Sequence, residues 1–149
     1  MKTLIIYSSI HHRNTQKIVN VMAKTLEAEL FQANETDNIC FDQYDLIGFG
    51  SGIYYGKHDA KLFQIIESAD IKGKNVFVFS TSGTGNEKNN KSLIEIISAK
   101  GSNVKGSFSC KGYDTYAFFK WIGGIAKGHP DAKDLDASQN FAKKLLEER

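Results

Sequence analysis

The chain has 149 residues, 41% of them hydrophobic and 24% charged, with a formal net charge of +2. That size suits one compact domain, and the composition is that of a folded globular chain, which excludes disorder and collagen-like repeats. The near-neutral balance argues against a nucleic-acid binder, which carries a basic excess, and Cys40 and Cys110 form neither a CxxC motif nor a disulfide framework.

The first apolar run, Leu4 to Tyr7, is too short for a signal-peptide core. No run approaches the roughly 18 apolar residues of a membrane span. The expectation is a single domain over residues 1–149, placed in the cytoplasm, with no membrane span. Leu4-Ile5-Ile6-Tyr7 lacks polar alternation and is followed by turn chemistry, the mark of a strand buried on both faces. A helical stripe follows through Ile18, Val21, Met22, Leu26 and Leu30. A weak strand is predicted around Leu30 to Asn34. From Glu35 to Asp45 no helix is convincing, and the link is expected to be irregular or to hold one short turn. Leu46-Ile47-Gly48-Phe49 is the next strand, and Leu62, Phe63, Ile65, Ile66 and Ala69 give the next helical face. Val76-Phe77-Val78-Phe79 is a further buried strand, followed by a helix faced by Leu93, Ile94, Ile96 and Ile97. Asn103 to Cys110 reads as an edge strand with Val104, Gly106, Phe108 and Cys110 on one side. Ala137, Phe141, Ala142, Leu145 and Leu146 face the last helix. The alternation predicts an α/β fold: a doubly wound five-stranded parallel sheet of order 2-1-3-4-5 with helices on both faces. Ligands of such sheets bind outside the carboxyl ends of the strands.

The loops at those ends are rich in Ser, Thr, Gly and aromatics. The first is Ser8, Ser9, Ile10, His11, His12, Arg13, Asn14 and Thr15, directly ahead of a helix. Hydroxyls and unpaired amides at a helix N-terminus form an anion site. The plainer alternative is that Asn14 or Thr15 simply caps the helix. The loop after the third strand is Gly50-Ser51-Gly52-Ile53-Tyr54-Tyr55-Gly56-Lys57-His58. Its glycines allow positive φ and close backbone approach, and its tyrosines suit stacking on a flat ring. In the plainer reading one tyrosine folds into the core. The loop Thr81-Ser82-Gly83-Thr84-Gly85-Asn86-Glu87 offers exposed amides to a heterocycle edge. The connection from Lys111 to Pro130 is long and holds Tyr113, Tyr116, Phe118, Phe119 and Trp121. His11 and His12 lack further ligands at metal spacing, and His58 and His129 stand alone in sequence, so no metal is expected. A phosphoacceptor site would need acids where Ser8-Ser9 and Gly50-Ser51 stand. Cys110 reads as a buried small hydrophobe.

With these loops in place, the chain resembles the flavodoxin family over its whole length. The hydroxyl-rich loop ending in Asn14-Thr15 is similar to the family's phosphate-binding loop, and Gly50 to Gly56 and Thr81 to Asn86 to its two flavin-flanking loops. The resemblance implies FMN, bound without a covalent link, and transfer of electrons between redox partner proteins, a donor and an acceptor. It implies that Ser8, Ser9, Ile10, His11, His12, Arg13, Asn14 and Thr15 surround the phosphate. Ser51, Gly52, Ile53, Tyr54, Tyr55 and Gly56 would flank the ring, with Tyr54 or Tyr55 stacked on it. Thr81, Ser82, Gly83, Thr84 and Gly85 would meet its pyrimidine edge. No residue of the chain is expected to be catalytic. The stretch Ile47 to His58 (IGFGSGIYYGKH) also resembles menaquinone-dependent protoporphyrinogen oxidase, a flavodoxin-fold FMN enzyme whose longer insertion this chain lacks. That likeness implies the alternative of a small FMN-dependent oxidoreductase acting on a quinone; a flavin-free interaction module is the other alternative. The loop here departs from the family's usual pattern, with Arg13 before Asn14 and His11-His12 as added length.

The charge is uneven. From Asn34 to Asp70 seven acids face Lys57 and Lys61, and from Ile71 to Lys133 ten lysines face Glu87, Glu95, Asp114 and Asp131. The expectation is an acidic side at strands 2 and 3, where a redox partner docks, and a basic side at strands 4 and 5.

Overall fold

The computed structural model describes residues 1–9, 14–112 and 128–148. In chain order the elements are β1 (Thr3–Ser8), α1 (Asn14–Leu26), β2 (Glu29–Gln32), β3 (Leu46–Tyr54), β4 (Lys57–His58), α2 (Ala60–Ser68), β5 (Asn75–Ser82), α3 (Lys91–Ala99), β6 (Asn103–Lys111) and α4 (Ala132–Glu147). The strands run parallel in the order β2-β1-β3-β5-β6, which is the expected doubly wound topology. The addition is β4, two residues that fold back antiparallel on the end of β3. The link from β2 to β3 holds two 3-10 turns, Ala33–Glu35 and Phe41–Gln43, rather than one.

Alternate residues of the buried strands feed two apolar layers. Leu4, Ile6, Ile47, Phe49, Val76 and Val78 meet Leu62 and Ile66 of α2 and Leu93 and Ile97 of α3. Ile5, Tyr7, Phe77, Phe79 and Phe108 meet Ile18, Val19 and Met22 of α1 and Ala142 and Leu145 of α4. Two helical stripes differ from expectation by a fraction of a turn. In α1, Val19 and Ala23 are buried while Val21 is only half-buried, and Leu30 belongs to the edge strand β2, where it is exposed. In α4, Ser138 takes the buried position and Ala137 is exposed; its hydroxyl bonds the Leu135 carbonyl at 2.7 Å.

The edge strand β6 also departs from simple alternation. Val76 pairs with Val104 but Phe77 pairs with Gly106, so Lys105 is an extra residue in the ladder. The slip sends Val104 to the α2–α3 layer while Phe108 and Cys110 stay in the α1–α4 layer. The four residues expected on one side are thus split by a bulge. Two glycines of β3 have a packing role. A Cβ on Gly48 would lie 2.3 Å from the Phe77 ring, and one on Gly50 2.2 Å from the Phe79 ring. Those positions are small because aromatic rings from β5 lie across them.

Candidate functional site

The apolar layers end abruptly at the carboxyl edge. Each of four neighbouring strands puts a serine in the same row: Ser8 of β1 pairs with Ser51 of β3, Ser51 with Ser80 of β5, and Ser80 with Ser109 of β6. On the α2–α3 side this row joins a buried hydrogen-bond network. Ser8 Oγ donates to Asp59 Oδ2 at 2.6 Å, and Asp59 Oδ1 accepts the Lys61 amide at 3.0 Å, which caps α2. The Asp59 amide donates to Ser51 Oγ at 3.1 Å. Ser51 Oγ lies 2.9 Å from His58 Nδ1 and 2.6 Å from the Gly52 carbonyl, so its single proton has two acceptors. His58 Nε2 lies 2.7 Å from Asn90 Oδ1, and Asn90 Nδ2 donates to the Phe108 carbonyl at 3.1 Å and reaches Ser107 and Ser109. Ser80 and Ser109 share a bond of 2.6 Å.

The Asn90 amide settles the histidine's tautomer. The Phe108 carbonyl can only accept, so it takes Asn90 Nδ2, and Oδ1 faces His58. His58 Nε2 therefore carries the proton, and Nδ1 is left as an acceptor that shares the Ser51 hydroxyl proton with the Gly52 carbonyl. His58 is 4% exposed, and burial holds the imidazole neutral, its pKa down to about 4 against a smaller upward pull from Asn90. Sequence reasoning left this residue solitary, because its partner stands 32 positions away on a 3-10 turn. This network clamps β4, and β4 sets the hairpin above it.

The hairpin is a two-residue turn. Ile53 pairs with His58 and Tyr54 with Lys57, which leaves Tyr55 and Gly56 at the tip with φ of 51° and 78°. Left-handed φ at both central residues is the arrangement that matches strand twist, and it favours Asn-Gly. A tyrosine in the first position is strained. Tyr55 is also 80% exposed. Tyr54 instead turns back over β3: a Cβ on Gly52 would lie 3.0 Å from its hydroxyl.

The α1 side of the edge is built differently. The Thr15 and Thr81 hydroxyls bond at 2.9 Å in a buried position, tying the start of α1 to the end of β5. Ser9 Oγ accepts the Gln16 amide at 3.3 Å. Gly112 packs against Asn14, where a Cβ would lie 2.7 Å from the amide nitrogen. After β5, Ser82 Oγ accepts the Gly85 amide at 2.8 Å, and Gly112 donates to the Ser82 carbonyl at 2.8 Å. These bonds pin the loop and leave the Gly83 and Thr84 amides outside them.

Ser8, Ser9, Asn14, Thr15, Ser51 to Gly56 and Thr81 to Gly85 thus share one edge of the sheet. Ile10, His11, His12 and Arg13 lie outside the described residues, as do Tyr113, Tyr116, Phe118, Phe119 and Trp121. Two hydroxyls of the set already have partners: Ser8 bonds Asp59, and Ser51 serves His58. His129 is not isolated, since its Nδ1 lies 2.5 Å from Asp134 Oδ2 and 3.7 Å from Asp131 Oδ2. Both carboxylates form the capping box of α4, at the positive end of that helix, so the trio reads as a cap. Cys110 is buried, and burial pushes its thiol up to about 12.

The sheet order defines a doubly wound α/β protein, a class that binds its ligands at the switch in strand order. The family model "Flavodoxin domain" matches residues 4–124, and the chain belongs to the flavodoxin family. It is 42% identical over 148 residues to an uncharacterized protein of Methanocaldococcus jannaschii, MJ0298, covering 98% of this chain and 99% of that one. In fold it is similar to oxidised flavodoxin 2 from Bacillus cereus, with a TM-score of 0.77 at 22% identity over the whole of both chains. It is also similar to a flavoprotein in complex with FMN from Lactobacillus acidophilus, with a TM-score of 0.58 at 22% identity over 71% of this chain and 91% of that one.

Proposed function

We propose that this chain binds FMN at the carboxyl edge and passes electrons between redox proteins. The observation that carries the reading is Tyr55. It is a large aromatic held exposed, in a left-handed conformation, at the tip of a turn that a buried network clamps to the sheet. Strain and exposure of this kind are kept where a site uses them. FMN supplies the redox chemistry when bound; the protein binds, orients and shields it. Tyr55 stacks on the ring, and the Gly83 and Thr84 amides meet its pyrimidine edge. Ser9, Ile10, His11, His12, Arg13, Asn14 and Thr15 hold the phosphate at the amino end of α1. Ser8 contributes by fixing Asp59. A flavoprotein of similar fold is known in complex with FMN, which supports the choice of cofactor.

The test is to mix the purified flavin-free chain with FMN. Stoichiometric quenching of flavin fluorescence with a shifted absorbance band is the expected result. An unchanged spectrum contradicts the reading and favours a flavin-free module. If FMN binds, turnover of NAD(P)H with a quinone and no partner protein would identify the oxidoreductase instead of the carrier.

A further inference from the structure

The lysines at the two edges of the sheet differ in how they are engaged. At the amino edge Lys2, Lys74 and Lys100 have intramolecular work, while Lys72 and Lys105 are exposed and make no ion pair or hydrogen bond among the described residues. Lys74 Nζ donates to the Asp42 and Tyr44 carbonyls at 3.1 and 3.0 Å, and Lys100 Nζ to the Ile66 and Glu67 carbonyls at 2.8 and 2.7 Å, closing the end of α2. Lys2 Nζ pairs with Glu29 at 3.7 Å. At the carboxyl edge Lys57, Lys61, Lys88, Lys91 and Lys111 are all exposed. Among the described residues none of these five ammonium groups makes an ion pair or a hydrogen bond.

The buried network places four of these near one contact, and Lys111 stands at the same edge of the sheet. His58 bonds Asn90, so Lys57 beside the one and Lys88 and Lys91 beside the other flank the same contact. The Lys61 amide is tied to Asp59 within that network. Lys111 ends β6 opposite Ser82, and its Cγ lies 3.2 Å from where a Cβ of Gly85 would be. The acids described on this rim are Glu87, Asp59, Asp131 and Asp134; Asp59 is committed to Ser8 and to its cap, and Asp131 and Asp134 to His129 and the cap of α4.

We infer that the rim of the carboxyl edge is a docking surface for a small acidic redox protein, with Tyr55 as its aromatic centre. Like charges kept together without internal partners serve encounter, because summed surface charge steers association and selects the partner of opposite sign. An exposed tyrosine at an edge that also carries exposed cations has the anatomy of an interface centre and its rim. The sequence leads one to expect docking on an acidic side at strands 2 and 3; the inferred face stands instead at the carboxyl edge. Asp42 and Asp45 of the acidic stretch stand at the amino edge, both just before β3, and the exposed lysines stand at the edge that would carry the flavin.

The inference rests on the proposed flavin site only for its redox purpose, so its test reads binding. A fluorescently labelled [4Fe–4S] ferredoxin of strongly negative charge is titrated by anisotropy, with and without FMN, at low and at high salt. The triple variant Lys57→Glu, Lys88→Glu, Lys111→Glu is compared with the amino-edge control Lys72→Glu, Lys105→Glu. We expect binding that weakens about tenfold or more with added salt and in the rim variant, and little in the control. Equal loss in the control, no loss in the rim variant, or tighter binding to vesicles with anionic lipid or to a DNA duplex than to the ferredoxin would overturn it. Rim-dependent binding without FMN uptake defeats the flavin reading alone; FMN uptake without rim-dependent binding defeats this one alone.

Discussion

The two edges of the sheet are built from similar residue types and do opposite things. At the amino edge, polar groups close on one another. The Lys2 amide donates to Asp45 Oδ2 at 2.8 Å, the Lys2 carbonyl accepts the Asp45 amide at 2.8 Å, and the Tyr44 hydroxyl donates to Glu29. Lys2 Nζ adds a position 5.0 Å from the Tyr44 ring centroid. At the carboxyl edge the bonding goes inward, into the serine row and the His58–Asn90 pair, and the surface above it is left to lysines, glycines and Tyr55. One edge uses its polar chemistry to finish the fold. The other buries a polar network beneath the surface and keeps a stiff, unfinished face, which is what a binding site needs.

The comparison breaks most easily at Asn90. Asn90→Ala leaves the His58 Nε2 proton and the Phe108 carbonyl without their partner in a buried place, so about 3 kcal/mol of stability should be lost in urea unfolding. Lys2→Met, which removes a surface pair at the other edge, should cost under about 1 kcal/mol. Equal losses would mean that the carboxyl-edge network has no special weight.

Acid should single out the same edge. His58 is held neutral in the fold, with a pKa near 4, while the unfolded chain takes up the proton near pH 6.5. The unfolded state therefore binds more protons between these values, and stability falls as pH drops through that window. From pH 7 to 4.5 the wild type should lose about 2–3 kcal/mol more than His58→Gln, which keeps hydrogen-bonding capacity and has no proton to gain. Parallel pH profiles for the two proteins would show that His58 titrates normally.

Tyr55 tests whether the strain serves binding. Tyr55→Asn places the preferred residue in the first turn position, so stability should rise by about 0.5 kcal/mol. The same change removes a stacking ring, so FMN affinity should fall about five- to tenfold, a loss of about 1 kcal/mol. A variant that is neither more stable nor weaker for FMN would remove Tyr55 from the site.

Much of the fold was legible because buried parallel strands advertise themselves. Leu4 to Tyr7, Leu46 to Phe49 and Val76 to Phe79 have no polar alternation to confuse, and helical stripes separate them. What escaped depends on pairing between distant segments. Each of the three apolar runs is followed within two residues by a serine, yet only the register shows Ser8, Ser51, Ser80 and Ser109 in one row. Gly50 reads as loop-like freedom until Phe79 is laid across it. The bulge at Lys105 has no local signature. The hairpin was missed because Tyr-Gly is a poor match to the Asn-Gly pattern of its turn. Of the site, the sequence indicated which loops converge. It could not indicate that Ser8 and Ser51 already have partners, nor that lysines of two helices, two strands and a 3-10 turn would stand at one edge of the sheet.

The central claim is a place as much as a ligand. Amide shifts in a two-dimensional NMR spectrum of the isotope-labelled chain, recorded as FMN is added, test it most directly. The account predicts the largest shifts at Ser9, Asn14 and Thr15, at Gly52 to Gly56 and at Ser82 to Gly85. Shifts centred instead on the groove of about 410 Å³ between the end of α2 and the approach to β3, lined by Asp37, Ile39, Phe41, Asp42, Ile65 and Asp70, would contradict it.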